Sequence, residues 1–263
     1  MRPSVPPVRQ SLPPVKQRPL HRAASAVRCL AAPVAALLAL VGCGGALPLG
    51  HPAHVLTPGK TTVAAGVAGT LMLDSSAVDA GSLRLQDLAV APDVSPWAAV
   101  RAGLGAGFEG GLTASTRAIR VDARRAFETQ RLALSIGLGA SALLAARPGG
   151  TGDATGVFGG GFDVPILVGW RSSADLYAVW LGPRVGAELL SGEIDAGWAG
   201  PLKASGRHLR FGGVAGLRAG LRRLYGVVEI DASYHRADGA LGAQQVSLTG
   251  FTVAPAGALV VSF

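Results

Sequence analysis

The sequence predicts an all-β protein whose strands close into a transmembrane, antiparallel, up-and-down barrel. Apolar and polar residues alternate through most of the chain after residue 60. No apolar run reaches the ~20 residues that a membrane helix needs. The chain also ends on an alternating stretch, Ala258–Phe263, whose last residue is aromatic. The hydrophobic fraction of 49% is therefore spread over many short segments, as in strands that have one apolar face.

The first 42 residues predict a signal peptide. They contain six basic residues and no acidic one, and their apolar run Ala31–Val41 has the length of a signal-peptide core. From Cys43 onward the chain carries 18 Lys and Arg against 16 Asp and Glu, so most of the formal net charge of +8 belongs to the leader. A nucleic-acid partner is therefore not expected.

Cys43 is a candidate lipidation site. Apart from Cys29 in the leader it is the only cysteine of the sequence, so no internal disulfide is expected. The stretch Leu40-Val41-Gly42-Cys43 resembles the lipobox of bacterial lipoproteins. The resemblance implies that Cys43 becomes the acylated first residue and that Gly44, in place of Asp, favours sorting to the outer membrane. Residues 43–59, rich in Gly and Pro, are predicted to be a tether.

The barrel itself is expected over residues 60–263. Ten alternating segments are found at 62–74, 97–104, 108–115, 119–124, 131–141, 162–171, 177–189, 209–221, 227–235 and 251–263. The clearest is 227–235, in which Val228, Ile230 and Ala232 alternate with polar residues. Eight strands are the alternative, because Phe108–Phe127 can form one bent strand or a tight pair.

Short and long connections alternate between these segments. Short connections are expected at 105–107, 128–130, 172–175 and 223–224, and long ones at 75–94, 146–158, 192–206 and 239–244. The connection at 116–118 is short but falls on the long-loop side. Tight turns on one side and long loops on the other are typical of outer-membrane barrels. An even strand number brings both chain ends to the periplasmic side.

Charged residues share one face of these segments, and in a membrane barrel that face lines the lumen. The lumen charge network is predicted to contain Arg101, Glu109, Arg120, Asp122, Arg184, Glu188, Arg218, Glu229 and Asp231. Arg124, Arg171, Arg210 and Asp163 have the same parity. The near balance of signs favours pairing over a strong anion-attracting field. Aromatic residues proposed for the membrane interfaces are Phe108, Phe162, Trp170, Tyr177, Phe211, Tyr225 and Phe251.

Residues 60–263 resemble the small outer-membrane β-barrel proteins of Gram-negative bacteria. The resemblance is carried by Asp122-Ala123-Arg124-Arg125-Ala126-Phe127, by Leu134-Ser135-Ile136-Gly137-Leu138-Gly139 and by the final Phe263. It implies that Phe263 is an assembly signal for the barrel-insertion machinery. It also implies outer-membrane lipid as a partner and the bacterial outer membrane as the location. It gives no oligomeric state.

No catalytic or metal motif is found. Gly59-Lys60-Thr61 lacks the upstream glycine of a phosphate loop, and 105–110 matches G-x-G-x-x-G without a following helix. His51 and His54 have no third ligand nearby in the sequence, so no metal and no cofactor are expected. The one enzymatic candidate is Ser233 with His235 and Glu229 or Asp231 on one strand face.

The sequence therefore predicts a non-enzymatic envelope barrel with a charge-filled lumen. Three alternatives stay open. The first is a narrow pore for small polar solutes, and the second is a hydrolase at the barrel rim. The third is a lipid-tethered, soluble periplasmic β-domain whose apolar face would point inward.

Overall fold

A computed structural model describes residues 47–76, 93–116, 118–143, 157–195 and 201–263. The leader, Cys43 and the centres of three expected long loops lie outside the described residues. Within these ranges the chain forms ten β-strands. They are β1 Thr61–Ser75, β2 Asp93–Gly105, β3 Phe108–Ser115, β4 Ala118–Glu128, β5 Leu132–Leu143, β6 Val157–Arg171, β7 Tyr177–Asp195, β8 Pro201–Leu221, β9 Leu224–Leu241 and β10 Gln244–Ser262.

The strands form one closed antiparallel barrel. Each strand pairs with its neighbours in the sequence, and β1 closes the sheet by pairing with β10. The predicted ten-strand, up-and-down topology is confirmed, and Phe108–Phe127 forms two strands rather than one bent strand. Among the described residues, no helix is long and apolar enough to cross a membrane.

Large apolar side chains point away from the barrel interior. In β5, Leu132 and Leu134 are 55% and 47% exposed, whereas Ala133 and Ser135 between them are buried. The same two-residue alternation runs through β4 and β9, because successive strand side chains face opposite sides of a sheet. The arrangement is the reverse of a soluble barrel, whose large apolar residues would fill the interior.

One end of the barrel is formed by tight turns at residues 106–107, 129–131, 172–176 and 222–223, and is called the turn end below. Both chain termini of the barrel lie there, since the Phe263 N–H donates to the Thr61 carbonyl. Three non-glycine residues in these turns, Ala106, Asp175 and Arg222, have positive φ angles of 51°, 52° and 58°, a backbone conformation common in tight hairpin turns.

Strands β7 to β10 continue further toward the opposite end, the loop end, than the sequence predicts. The long connections expected at 192–206 and 239–244 are largely strand: β7 reaches Asp195, β8 begins at Pro201, and only residues 242–243 join β9 to β10. The alternation is weak there because the inward side chains Ala204, Ala237 and Leu241 are themselves apolar. A two-residue pattern of apolar and polar residues cannot reveal a strand that is apolar on its inner face.

Outward aromatic side chains lie at two levels of the wall. Those near the turn end form the lower girdle: Phe108, Phe127, Trp170, Tyr177 and Phe263. Those nearer the loop end form the upper girdle: Phe158, Phe162, Phe211, Tyr234 and Phe251. From Phe162 to Trp170 the strand rises about 20 Å along the barrel axis, at ~3.3 Å per residue and a ~40° tilt.

Tyr225 was expected among these interfacial aromatics, but it is only 7% exposed and points into the barrel. Its hydroxyl donates to the Arg222 carbonyl, and the Arg218 guanidinium lies 4.5 Å from its ring centroid. Tyr225 has the same parity as Glu229 on β9, so the alternation itself assigns it to the lumen.

Candidate functional site: the barrel lumen

A continuous chain of ion pairs crosses the lumen from β2 to β9. Arg101 binds Glu109 and Asp122, each at 2.5 Å, and Arg120 binds Asp122 and Asp163, each at 2.7 Å. Arg184 continues the chain, at 3.1 Å from Asp163 and 3.2 Å from Asp231. These side chains are at most 6% exposed. Arg124 joins the chain through Glu109 at 2.8 Å.

Inward glycines give these long side chains their room. A Cβ placed on Gly139 would lie 2.5 Å from Arg120 Nε, and one on Gly111 would lie 2.7 Å from Arg101 Cζ. A Cβ on Gly161 would lie 2.5 Å from Glu188 Cγ. Each glycine lies beside a charged residue of the neighbouring strand. The long charged side chain therefore occupies the space in the narrow lumen that a glycine, which has no side chain, leaves free.

Three residues expected in the network lie outside its ion pairs: Arg218, Glu188 and Glu229. Arg218 pairs with Asp175 at 2.6 Å, near the turn end. Glu188 lies closer to the loop end, where it contacts His208 and Arg210. The structure thus brings Arg101, Glu109, Arg120, Asp122, Arg184 and Asp231 together. It adds Arg124 and Asp163, which the alternation had assigned to the same face.

The described lumen has no surplus of arginine. Its largely buried arginines are Arg101, Arg120, Arg124, Arg184, Arg210 and Arg218, against the carboxylates of Glu109, Asp122, Asp163, Glu188, Glu229 and Asp231. Glu229 has no ion pair among the described residues. Its two oxygens instead accept the backbone N–H groups of Leu49 and Gly50, at 2.7 and 2.9 Å.

Residues 47–59 therefore do not extend away from the barrel as a tether, because residues 47–56 lie inside it and form a plug. Leu49 and Ala53 are 1% and 0% exposed and pack in an apolar cluster with Trp97 and Trp180. A Cβ on Gly169 would lie 2.7 Å from the Ala53 Cβ. The barrel wall thus leaves room for the plug at Gly169. The sequence could not predict the plug, because its Gly and Pro residues follow no periodic pattern.

Charged lumen side chains hold the plug by its backbone. The Leu56 N–H donates to Glu109 and the Val55 N–H to Glu128, at 2.7 and 2.6 Å. Arg124 donates to the carbonyls of Pro52 and His54, and Arg184 donates to the Leu47 carbonyl. Hydrogen bonds to charged groups are stronger than neutral ones. The network therefore both fills the lumen and fixes the plug.

The two plug histidines are buried without a charge partner. Burial, then repulsion by Arg101 and Arg124, lowers the pKa of His51 well below its usual value. Burial, then repulsion by Arg171, lowers the pKa of His54 to about 4. Both rings lie beside a cavity of about 30 Å³ that Arg101, Arg124 and Arg218 also line. Such a cavity is large enough for a water molecule.

A second polar chain lies toward the loop end. His208 Nδ1 is 3.1 Å from Glu188, His208 Nε2 is 2.8 Å from His235 Nδ1, and His235 Nε2 is 2.7 Å from the Thr252 hydroxyl. A carboxylate only accepts, so His208 Nδ1 carries a proton. The bond between the two rings needs one lone pair, so at least one ring is neutral.

This chain differs from the catalytic arrangement considered for β9. The Ser233 hydroxyl donates to Asp231 rather than to His235. His208 and Thr252, which the sequence gave no reason to connect, are the actual partners of His235. All four side chains, those of Ser233, His235, His208 and Thr252, are at most 4% exposed.

An apolar cap lies beyond the histidines at the loop end. Leu248 is 1% exposed and Ala237 is fully buried, and both belong to one inward cluster. Its members are Leu190, Ala204, Ala237, Leu241, Val246 and Leu248, with Leu143 packed against them. From turn end to loop end the described lumen thus contains the plug together with the ion-pair network that binds it, then the histidine chain, then the cap.

No group of three or more His, Cys, Asp or Glu side chains in the described part of the chain is placed to hold a metal ion. No protein-family model matches the chain, and no characterised protein matches it in sequence.

Three solved structures resemble the barrel. Ail, the attachment invasion locus protein of Yersinia pestis, is 13% identical over 78% of this chain and 99% of its own, with a TM-score of 0.28. Neisserial surface protein A is 13% identical over 78% and 99%, with a TM-score of 0.30. The CymD monoaromatic hydrocarbon channel is 8% identical over 79% and 89%, with a TM-score of 0.23. Such low TM-scores carry no argument about function.

Proposed function

We propose that this protein is a non-enzymatic, integral β-barrel of the bacterial outer membrane whose lumen is sealed by its own side chains. One observation carries the proposal: large apolar side chains cover the outside of the barrel while buried ion pairs fill the inside. An exposed apolar surface that extends around a closed barrel is favourable against lipid and is typical of transmembrane barrels. The two aromatic girdles fit the two interfaces of a bilayer.

The outer membrane is the membrane proposed, because the leader directs the chain to export and closed barrels span bacterial membranes there. The turn end would face the periplasm. Phe263, which is 61% exposed in the lower girdle, remains the proposed assembly signal for the barrel-insertion machinery.

A sealed lumen favours a structural or surface-exposed role over solute passage. The plug and the ion-pair network that binds it fill the lumen together, the cap closes it nearer the loop end, and a pore would need all three to open. A hydrolase at the rim is disfavoured by the burial of His235 and Thr252, since no substrate can reach their polar atoms without displacing the cap.

The first test is electrophoresis of the detergent-folded protein with and without boiling, followed by planar-bilayer recording. We expect a heat-dependent shift in mobility and no stepwise conductance. A protein that stays soluble without detergent and shows no shift would support the periplasmic β-domain instead. Steady channel openings in the folded protein would contradict the sealed barrel and support the narrow pore.

A further inference from the structure

The turn end has an excess of exposed cations. Arg171 and Arg218 are paired there, with Glu128 at 3.6 Å and Asp175 at 2.6 Å. Five further cations are exposed and have no ion pair among the described residues. They are Lys60, Arg125, Arg131, Arg222 and Arg223.

The loop end has no such excess in the part of it that the structure describes. Asp238 lies 3.6 Å from Arg207 and 3.4 Å from Arg236, so one carboxylate neutralises part of both charges. Lys203 lies opposite Glu193 in the β7–β8 register. The two ends of one barrel therefore present different electrostatic surfaces.

Arg125 shows where the turn-end cations lie relative to the bilayer. It faces outward on β4, and its guanidinium is 5.3 Å from the Phe108 ring centroid and 4.9 Å from that of Phe127. Both rings belong to the lower girdle, which marks the level of lipid headgroups. A long cationic side chain at this level places its charge among headgroup phosphates while its stem contacts acyl chains.

The five cations are spread around the barrel rather than gathered in a patch. Lys60 precedes β1, Arg125 is on β4, Arg131 precedes β5, and Arg222 and Arg223 join β8 to β9. A single protein partner would meet only part of such a ring. A lipid leaflet surrounds the whole circumference, so the distribution fits lipid.

We infer that the turn end binds anionic phospholipids of the surrounding leaflet through this ring of five cations. The inference rests on the proposed function, because it needs a membrane-inserted barrel. The ligand group is the headgroup phosphate, and the lipid's net negative charge provides the selectivity over zwitterionic lipid.

Trp170 supplies a local reporter. It lies in the lower girdle and pairs in register with Leu132, the residue after Arg131. Trp97 and Trp180 are buried in the lumen. A Trp198→Phe background removes the remaining tryptophan. Quenching of Trp170 by brominated phosphatidylglycerol, compared with brominated phosphatidylcholine, then measures which lipid the turn end prefers.

Three forms of the protein are reconstituted into vesicles in which either the phosphatidylglycerol or the phosphatidylcholine is brominated. One is the reporter protein, and one has all five ring cations replaced by Gln. The third, a control, carries Lys203→Gln, Arg207→Gln and Arg236→Gln at the loop end. We expect an anionic-lipid preference of about fivefold in the reporter and control proteins. We expect no preference in the five-Gln variant.

Equal quenching by the two lipids in the reporter protein overturns the inference, as does an unchanged preference in the five-Gln variant. If that variant does not fold, Arg131→Gln alone, next to the reporter, is expected to lower the preference. A protein that inserts into neither vesicle contradicts the proposed function itself, whereas insertion without preference contradicts only this inference.

Discussion

The two halves of the lumen are filled in different ways. Toward the turn end, buried arginines and carboxylates pair with one another and with the plug backbone, and inward glycines make the space for them. Toward the loop end, Leu248, Ala237 and their neighbours form an ordinary apolar core. A buried ion pair needs every partner in place, whereas an apolar core loses stability in proportion to the volume removed. The two halves should therefore respond differently to substitution.

The largest expected effect concerns the docked plug and the lipid anchor expected at Cys43. We expect that the two exclude one another. Arg184 donates a hydrogen bond to the Leu47 carbonyl. Counted from Tyr177, where β7 begins at the turn end, the Cα atom of Arg184 lies about 18 Å along the barrel axis, at ~3.3 Å per residue and a ~40° tilt. The four residues from Cys43 to Leu47 span at most about 14 Å, which is less than this height. We therefore expect that Cys43 cannot return to the turn end, where its acyl chain would enter the periplasmic leaflet, while the plug is docked.

An Ala53→Cys, Gly169→Cys pair, whose Cβ atoms would lie within about 1 Å of disulfide spacing, tests this exclusion. Cells are labelled with palmitate, and the disulfide-linked and free forms are separated by electrophoresis. We expect label only in protein without the disulfide. A species that has both the label and the disulfide would show that docking and acylation coexist.

The next largest effect is expected at Asp163, which lies between Arg120 and Arg184 in the turn-side half. Asp163→Asn leaves two buried guanidinium groups without their shared carboxylate, and the free energy of unfolding should fall by about 3–5 kcal/mol. Asp238 is a matched control, because it also pairs with two arginines but on the outer face. Asp238→Asn should cost at most about 1 kcal/mol. Urea unfolding of both variants in detergent measures the difference, and equal losses would contradict it.

The apolar half is tested by Leu248→Ala. Truncating this buried side chain should lower the free energy of unfolding by about 2–4 kcal/mol through lost contacts and a cavity. The plug and the ion-pair network still close the lumen below it. Planar-bilayer recordings of the variant should therefore remain without conductance, and channel openings would show that the cap alone seals the barrel.

A smaller loss is expected when a methyl group is added beside the network. In Gly139→Ala the new Cβ would lie 2.5 Å from Arg120 Nε, so the guanidinium must move from its carboxylates, at a cost of about 1–3 kcal/mol. In Gly226→Ala the nearest atom would be 3.9 Å away, and the change should be close to neutral. The same urea titration compares the two, and a similar loss in both would mean that space beside Arg120 is not limiting.

The strand alternation predicted the barrel, its charged lumen face and its tight turns, because a two-residue period records which side chains share a face. It could not predict the plug, since residues 47–56 have no period and are held mainly through their backbone. The cap was missed for a related reason. At Ala204 and Leu248 the inner face is apolar as well, so an apolar residue no longer indicates whether its side chain faces the lipid or the lumen. Partners such as His208 and His235 depend on cross-strand register, which one sequence does not give.

The last prediction concerns the plug at acidic pH. Burial and Arg171 lower the pKa of His54 to about 4 in the docked plug, against ~6.5 for an exposed histidine. The released plug therefore binds more protons between these values. Docking is fully stable above pH ~6.5 and weakens as pH falls toward 4, by up to about 3 kcal/mol. His51, whose pKa is lowered in the same direction, adds to the effect.

Hydrogen exchange of the Leu49 and Gly50 amides, which donate to Glu229, measures docking directly. After correction for the intrinsic pH dependence of exchange, both amides should lose protection on acidification. His54→Gln removes the titrating ring from the plug and should reduce that loss, leaving the share that His51 contributes. An identical acid profile in the variant would contradict the assignment to His54, and the loss of protection would then arise from His51 or from groups of the lumen wall.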